Sequence, residues 1–573
     1  MKKFFIIIFL AIGLLVIWPK SVFAQEISNV TVLLNFQEEM TEVHYAALLS
    51  NTASDKAVTS LKLSFPISFK TLSIQLAGQD LPLKQEGQDI IIDLSQRRIE
   101  PQKNAQIEIT AMTEALLAKV DGFRRIYIPG FNLLNTDQEY ELKVQIPKAW
   151  GAVSYSSENY NYSKISDTTD QLALITNHAQ LFSFGNLSGA EVNAEWKLIK
   201  EEQNVQVQVP IPASPLTGFV FTAQENTDKA ARDFEYNEFL TITSKQGYMQ
   251  KGSYHGYIYP LKGEIHFLNE ANLWSKGSDK FEVNKSSKAA DIYQKIIEKF
   301  SPQKQLEDYQ RLSIEKILEK PAQNSLDYAF TLAALLRQQG SESQVVYGIV
   351  NFPVTNQNRW HFWVISRPNN KAEWQQSDPF LEDLTGFSFF EKINPERIAW
   401  GSAGNVENIA DLGFQYLNSP DTLIKFISPE IQVKKEIEVT LNETDKIYSG
   451  LNLPVQLTIR NNGNTSVYLN EVQLENVILK AEEVTKFLII PNSVAVIPVE
   501  GAVIRNPLTS GEYILRGKLK ANIQGVAEDV KFEKLVAVEV DHRRLLTNAA
   551  AIFVIIFTGY YLIRFYRRRK KNG

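Results

Sequence analysis

Three residues of this chain have side chains whose types and order could carry acyl chemistry: Ser325, His361 and Asp378. A serine hydroxyl becomes a nucleophile when a histidine takes its proton and an acid orients that histidine. Hydrogen-bond donors must also wait where the oxyanion forms. On that reading Ser325 attacks an amide or ester, His361 is the base and Asp378 orients it. The same residues have a second reading. Ser325 opens a helix, where hydroxyls are favoured anyway, and His361 and Asp378 form a buried hydrogen-bonded pair that ties two strands. A triad is recognised by geometry and role, so the sequence leaves both readings open, and the second is our expectation.

The flanking residues say which elements must position these three. Leu326, Ala329, Leu332, Ala333, Leu335 and Leu336 keep a period of about 3.6, which predicts a helix. Asn324 stands where an N-cap belongs, Asp327 follows three residues on, and Gly340 is the stop signal. Strands are expected over Val345 to Val350, His361 to Ile365 and Trp374 to Ser377. Ahead of them, Ala289 to Phe300 puts Ile292, Ile296, Ile297 and Phe300 on one helical face, and Leu306 to Leu318 reads as a second amphipathic stretch.

This order resembles the transglutaminase-like (papain-like) superfamily. Members carry a cysteine at a helix start, an alanine four residues on, Leu-Leu-Arg-x-x-Gly at the helix end, then a His-x-Trp-Val strand and a Trp-x-x-x-Asp-Pro strand. Ala329, Leu335, Leu336, Arg337, Gly340, His361, Trp363, Val364, Trp374, Asp378 and Pro379 fall in register with that pattern. The resemblance covers roughly residues 270 to 428. It implies that Ser325, His361 and Asp378 occupy the triad positions, with Ser325 where the family keeps its nucleophilic cysteine. The chain departs from the family there, for it contains no cysteine at all. A thiolate is reachable near neutral pH beside a helix N-terminus and a histidine, whereas a serine hydroxyl ionises far less readily.

Composition narrows the remaining classes. At 573 residues with 44% hydrophobic and 22% charged residues, the chain is long enough for several folded domains. Without cysteine there are no disulfides and no thiolate metal sites. The 6 histidines include no HExxH spacing, and neither GxGxxG nor a P-loop is present, so no metal or cofactor is expected.

Two apolar segments bracket the chain. Residues 1–24 begin Met-Lys-Lys, continue apolar and end in small residues, the pattern of a secretory signal peptide cleaved after Ala24. Residues 545–563 form about 19 uncharged residues, enough for one transmembrane helix. Residues 564–573 follow as a basic tail with Arg564, Arg567, Arg568, Arg569, Lys570 and Lys571, which the positive-inside preference places in the cytoplasm. With these six and Lys2, Lys3 and Lys20 removed, the formal net charge of −5 becomes −14 on residues 25–563. Such an acidic ectodomain is not expected to bind nucleic acid.

Between the two segments, alternating strands predict a β-sandwich domain over 25–118 and a second β domain over 119–268, in which the tyrosine-rich run Tyr155 to Tyr162 reads as a loop. His44 reads as a strand residue. The transglutaminase-like domain is expected over 269–428. An immunoglobulin-like β-sandwich follows over 429–541, with Asn461-Asn-Gly-Asn464 as a hairpin turn. The expected fold class is therefore an α+β transglutaminase-like (papain-like) domain flanked by all-β sandwich domains, with one C-terminal transmembrane helix. The expected protein is single-pass in the cytoplasmic membrane of a bacterial envelope, ectodomain outside and C-terminus inside. Its central domain is expected to be a pseudoenzyme that binds a peptide, protein or cell-envelope ligand. The alternatives are a Ser-His-Asp hydrolase or acyl transferase, and a structural or adhesive ectodomain.

Overall fold

The computed structural model describes residues 25–571, except 66, 87–88, 121, 132–138, 186, 200–205, 214–215, 226–228, 233–236, 244–248, 262–276, 285, 304–308, 310–311, 353–354, 368–372, 393, 395, 404–411, 429, 444–446, 449–454, 476, 480–486, 500, 504–510, 524–525 and 541. The signal segment expected at residues 1–24 lies outside the described residues. The chain forms two compact units. One comprises residues up to Leu187 with Phe352–Asn356 and Gln376–Pro395; the other comprises Ser188–Asn351, Gln357–Gln375 and Glu396–Gly573.

In the first unit, strict alternation builds the core. Along Thr41–Asn51 every second side chain is buried, the mark of a strand with one face on a core. An eight-stranded sheet runs in the order Asn161–Lys164, Thr169–Thr176, Tyr140–Pro147, Gln25–Phe36, Thr41–Asn51, Asn104–Thr113, Thr71–Leu76, Gln79–Asp80. Gln25–Phe36 and Tyr140–Pro147 pair in parallel, Leu33 opposite Lys143. This sheet takes strands from both sides of the boundary expected between residues 118 and 119, because a parallel neighbour distant in sequence leaves no local signal. The tyrosine-rich run is not one loop. Val153–Ser156 and Asn161–Lys164 are strands, joined through the Ser-Ser-Glu-Asn stretch that reads as turn chemistry.

The second unit begins with a sheet ordered Thr217–Glu225, Met249–Pro260, Gly189–Ile199, Ile424–Ile427. Helices follow at Ala289–Lys299, Ile314–Glu319 and Ser325–Gln339. Only Tyr309 and residues 312–318 of the stretch expected as a helix from Leu306 are described, and the helix there begins at Ile314. Helix Ser325–Gln339 packs against the other two helices and the strand Gln357–Arg367. Eleven of its residues are buried, which explains why its apolar residues are not confined to one stripe. Gln357–Arg367, Glu342–Phe352 and Arg397–Ser402 are neighbours in the next sheet.

The C-terminal strands form a three-stranded and a five-stranded sheet around one core that includes Leu457, Ile459, Leu469, Leu515 and Leu519, and Val477–Leu479 pairs with Gly501–Val503 in a separate two-stranded sheet. The strands flanking Asn461–Asn464 lie in different sheets, so the Asn-Gly stretch crosses between layers and is not a hairpin turn. The side chain of Asn461 supplies the reason. Its Nδ2 donates to the carbonyls of Thr465 (2.8 Å) and Ile489 (2.9 Å), and its Oδ1 accepts from Gly463 N (3.0 Å). The last element is the helix His542–Lys571, within which Leu545–Arg569 is long and apolar enough to cross a membrane.

Candidate functional site

Ser325 is the first residue of its helix and is completely buried. A reciprocal cap fixes it there: Asp327 N donates to Asn324 Oδ1, and Asn324 N donates to Asp327 Oδ2, both at 3.0 Å. The Asp327 carboxylate also meets Lys320 Nζ at 2.5 Å. At the other end Gly340 adopts φ 103°, and Ser341 N donates back to Leu336 O at 3.0 Å. Arg337 Nε and Nη2 donate to Ser343 O at 2.9 and 2.7 Å, tying the helix end to the strand that follows. The helix is thus capped at both ends and tied to the sheet at its C-terminal end.

His361, also fully buried, sits on the strand Gln357–Arg367. The residue after it, Phe362, donates its N–H to Ser325 Oγ at 3.4 Å, so the helix start lies against the backbone that carries the imidazole. The strand can lie this close to its neighbour because Gly348 makes room. A Cβ there would stand 2.0 Å from Ile398 O and 2.8 Å from the Trp363 ring.

Tyr309 completes the surroundings of Ser325, and it was absent from the residues singled out in the sequence. Its ring lies 4.9 Å from Phe362 and 6.1 Å from Phe414. Its hydroxyl donates to Trp360 O at 3.2 Å. The same hydroxyl is hydrogen-bonded to Ser325. A phenol has one proton, and that proton is on Trp360 O, so Ser325 must donate and Tyr309 Oη accept. Burial pushes the Tyr309 phenol up to about 12, so it keeps its proton at ordinary pH. The only advance signal was an aromatic side chain in a stretch read as amphipathic helix.

Asp378 belongs to the other compact unit. It is fully buried and caps the helix Pro379–Thr385, its Oδ1 accepting from Leu381 N at 3.0 Å. Its own N–H donates to Phe389 O at 3.3 Å. Ser325 therefore lies against the strand that carries His361 in the second unit, and Asp378 caps a helix N-terminus in the first.

Two hydroxyl–imidazole–carboxylate chains occur in other sheets. Thr222 Oγ1 lies 2.5 Å from His255 Nδ1, whose Nε2 is 3.0 Å from Glu191 Oε1. Thr110 Oγ1 lies 3.4 Å from His44 Nδ1, whose Nε2 is 3.2 Å from Glu42 Oε1. The first spans three neighbouring strands and the second joins two, with His44 and Glu42 two residues apart on one of them, so each ties paired strands in its own sheet. Among the described residues no group of three His, Cys, Asp or Glu is placed to hold a metal ion.

No curated protein matches the chain. Among solved structures, an M1 zinc metallopeptidase from Deinococcus radiodurans is similar at 11% identity and TM-score 0.22, covering 32% of this chain and 46% of that one. Legionella pneumophila aminopeptidase A in complex with aspartic acid is similar at 12% identity and TM-score 0.23, covering 32% and 23%. A putative protease from Parabacteroides distasonis is similar at 10% identity and TM-score 0.19, covering 84% and 94%. This chain spans less than half the length of those two peptidases. Residues 274–379, which carry Ser325, His361 and Asp378, match the transglutaminase-like superfamily, and the chain thus contains a transglutaminase-like domain.

Proposed function

We propose that this chain is a membrane-anchored protein of the bacterial cell envelope whose transglutaminase-like domain is catalytically silent and binds a peptide or another envelope component. The observation that carries this reading is the commitment of the Ser325 proton. A serine nucleophile must hand its proton to a base. Here the hydroxyl accepts from Phe362 N and donates to Tyr309 Oη, and the tyrosine's own proton is held by Trp360 O. These partners are a backbone N–H and a phenol that keeps its proton, and neither is a base near neutral pH. With no cysteine in the chain, the position loses the thiolate chemistry that the resemblance would supply. The fold is kept by caps and packing that do not depend on catalysis. Residues 274–379 serve on this reading as a scaffold, the flanking β-sheets as further contact surfaces, and Leu545–Arg569 as the anchor.

The test exploits the absence of thiols. Ser325→Cys introduces one sulfhydryl at the start of a capped helix beside the strand of His361. It should alkylate with iodoacetamide at mildly acidic pH and slow markedly when His361→Ala is added. The wild-type serine should stay unlabelled by a fluorophosphonate. Labelling of wild type at Ser325 would replace this reading with a serine hydrolase. A thiol that reacts only near the ordinary pKa of about 8.5 would mean that the imidazole no longer assists the position.

A further inference from the structure

The helix His542–Lys571 continues unbroken past its apolar stretch, so its terminal cations stand on a helix. At 100° per residue, Phe553, Phe557, Tyr560, Tyr561, Arg564, Arg567 and Arg568 share one face. The ring contacts follow that face: Phe553 lies on Phe557 at 6.0 Å, and Phe557 on Tyr561 at 4.8 Å. All seven side chains are exposed, and no described residue forms an ion pair with the three guanidiniums. Along the axis the face changes from phenyl rings to phenols to guanidiniums within roughly 20 Å, at about 1.5 Å per residue. A phospholipid changes in the same order and over a similar length, from acyl chain through ester to phosphate.

We propose that this face binds an anionic phospholipid. Arg564, Arg567 and Arg568 take the headgroup phosphate, Tyr560 and Tyr561 lie at the ester level, and Phe553 and Phe557 lie against an acyl chain. Guanidinium suits phosphate because it offers paired donors in a planar fork. A second copy packed in parallel on this face would set arginine against arginine, which favours lipid as the occupant. The inference rests on the reading of Leu545–Arg569 as a membrane span.

The full chain has no cysteine, so Ile556→Cys gives one site for a fluorophore. The labelled protein is reconstituted in phosphatidylcholine vesicles with a minor fraction of spin-labelled phosphatidylglycerol or, separately, spin-labelled phosphatidylcholine. At low salt the glycerol lipid should quench at least about twofold more than the choline lipid at equal mole fraction. That excess should vanish when Arg564→Gln, Arg567→Gln and Arg568→Gln are combined, and inorganic phosphate should not abolish it. Equal quenching by the two lipids, or an excess that survives the triple substitution, overturns the proposal. Loss of the excess with inorganic phosphate alone assigns the arginines to free anion. Quenching by neither lipid fails the span itself, a result distinct from the others.

Discussion

At the scale of single residues, the fate of the site turns on where one proton sits. Ser325 and Tyr309 form a short chain that ends on a backbone carbonyl, and neither group is a base at neutral pH. Tyr309→Phe tests that assignment. It removes the acceptor for Ser325 and the donor to Trp360 O, two partners beside a buried position, while leaving the ring contacts with Phe362 and Phe414 in place. The expected cost is about 1–2 kcal/mol in denaturant unfolding, with no gain of fluorophosphonate labelling. An unchanged unfolding midpoint would contradict the hydrogen bonds, and new labelling would show that the tyrosine alone had been holding the serine silent. Asp378 carries a separate lesson. Its carboxylate caps a helix through Leu381 N, a role that the Asp-Pro dipeptide itself announces once Pro379 is seen at the first helical position.

At the scale of elements, what was legible in the sequence is what is local. Helix Ser325–Gln339 starts and stops where Asn324, Asp327 and Gly340 say it should, because capping chemistry lies within three or four residues of each end. The strands Glu342–Phe352 and Gln357–Arg367 enclose the expected ones, since apolar β-branched runs carry their own signal. What was not legible is set by partners far along the chain. The Asn-Gly stretch after Asn461 has the residues of a hairpin turn, yet its geometry is fixed by carbonyls of Thr465 and Ile489. Asn51 repeats this device in the N-terminal sheet, with Nδ2 donating to Lys56 O (2.8 Å) and Ile99 O (2.9 Å) and Oδ1 accepting from Ala53 N (3.0 Å). Asn461→Ala leaves three buried backbone groups without that partner. It should lower the stability of the C-terminal sandwich by about 2–3 kcal/mol, read as a shifted urea midpoint with an unchanged slope. A shift within about 0.5 kcal/mol, as for an uncoupled surface residue, would show that the crossing is held by the strands alone.

At the scale of the whole molecule, the second unit has a built-in polarity. Phe221 N donates to Asn464 O at 2.8 Å and Val220 bridges to Thr465, so the C-terminal sandwich is hydrogen-bonded to the strand Thr217–Glu225 at the end where its sheets cross. From there the strand Val526–Glu539 carries the chain directly towards the helix His542–Lys571. On the proposed reading such a sandwich is a spacer between the transglutaminase-like domain and the membrane, and the charge distribution predicts its orientation. The ectodomain expected from the sequence carries −14, while the far end of the helix carries only cations, so the positive-inside preference predicts the basic end on the cytoplasmic side. Protease added to intact, wall-stripped cells should therefore remove residues 25–541 and leave a small fragment of span and tail, followed with a tag placed after Gly573. A fully protected ectodomain would reverse the orientation. It would put Arg564, Arg567 and Arg568 in the outer leaflet and move every proposed binding surface of the transglutaminase-like domain to the cytoplasm.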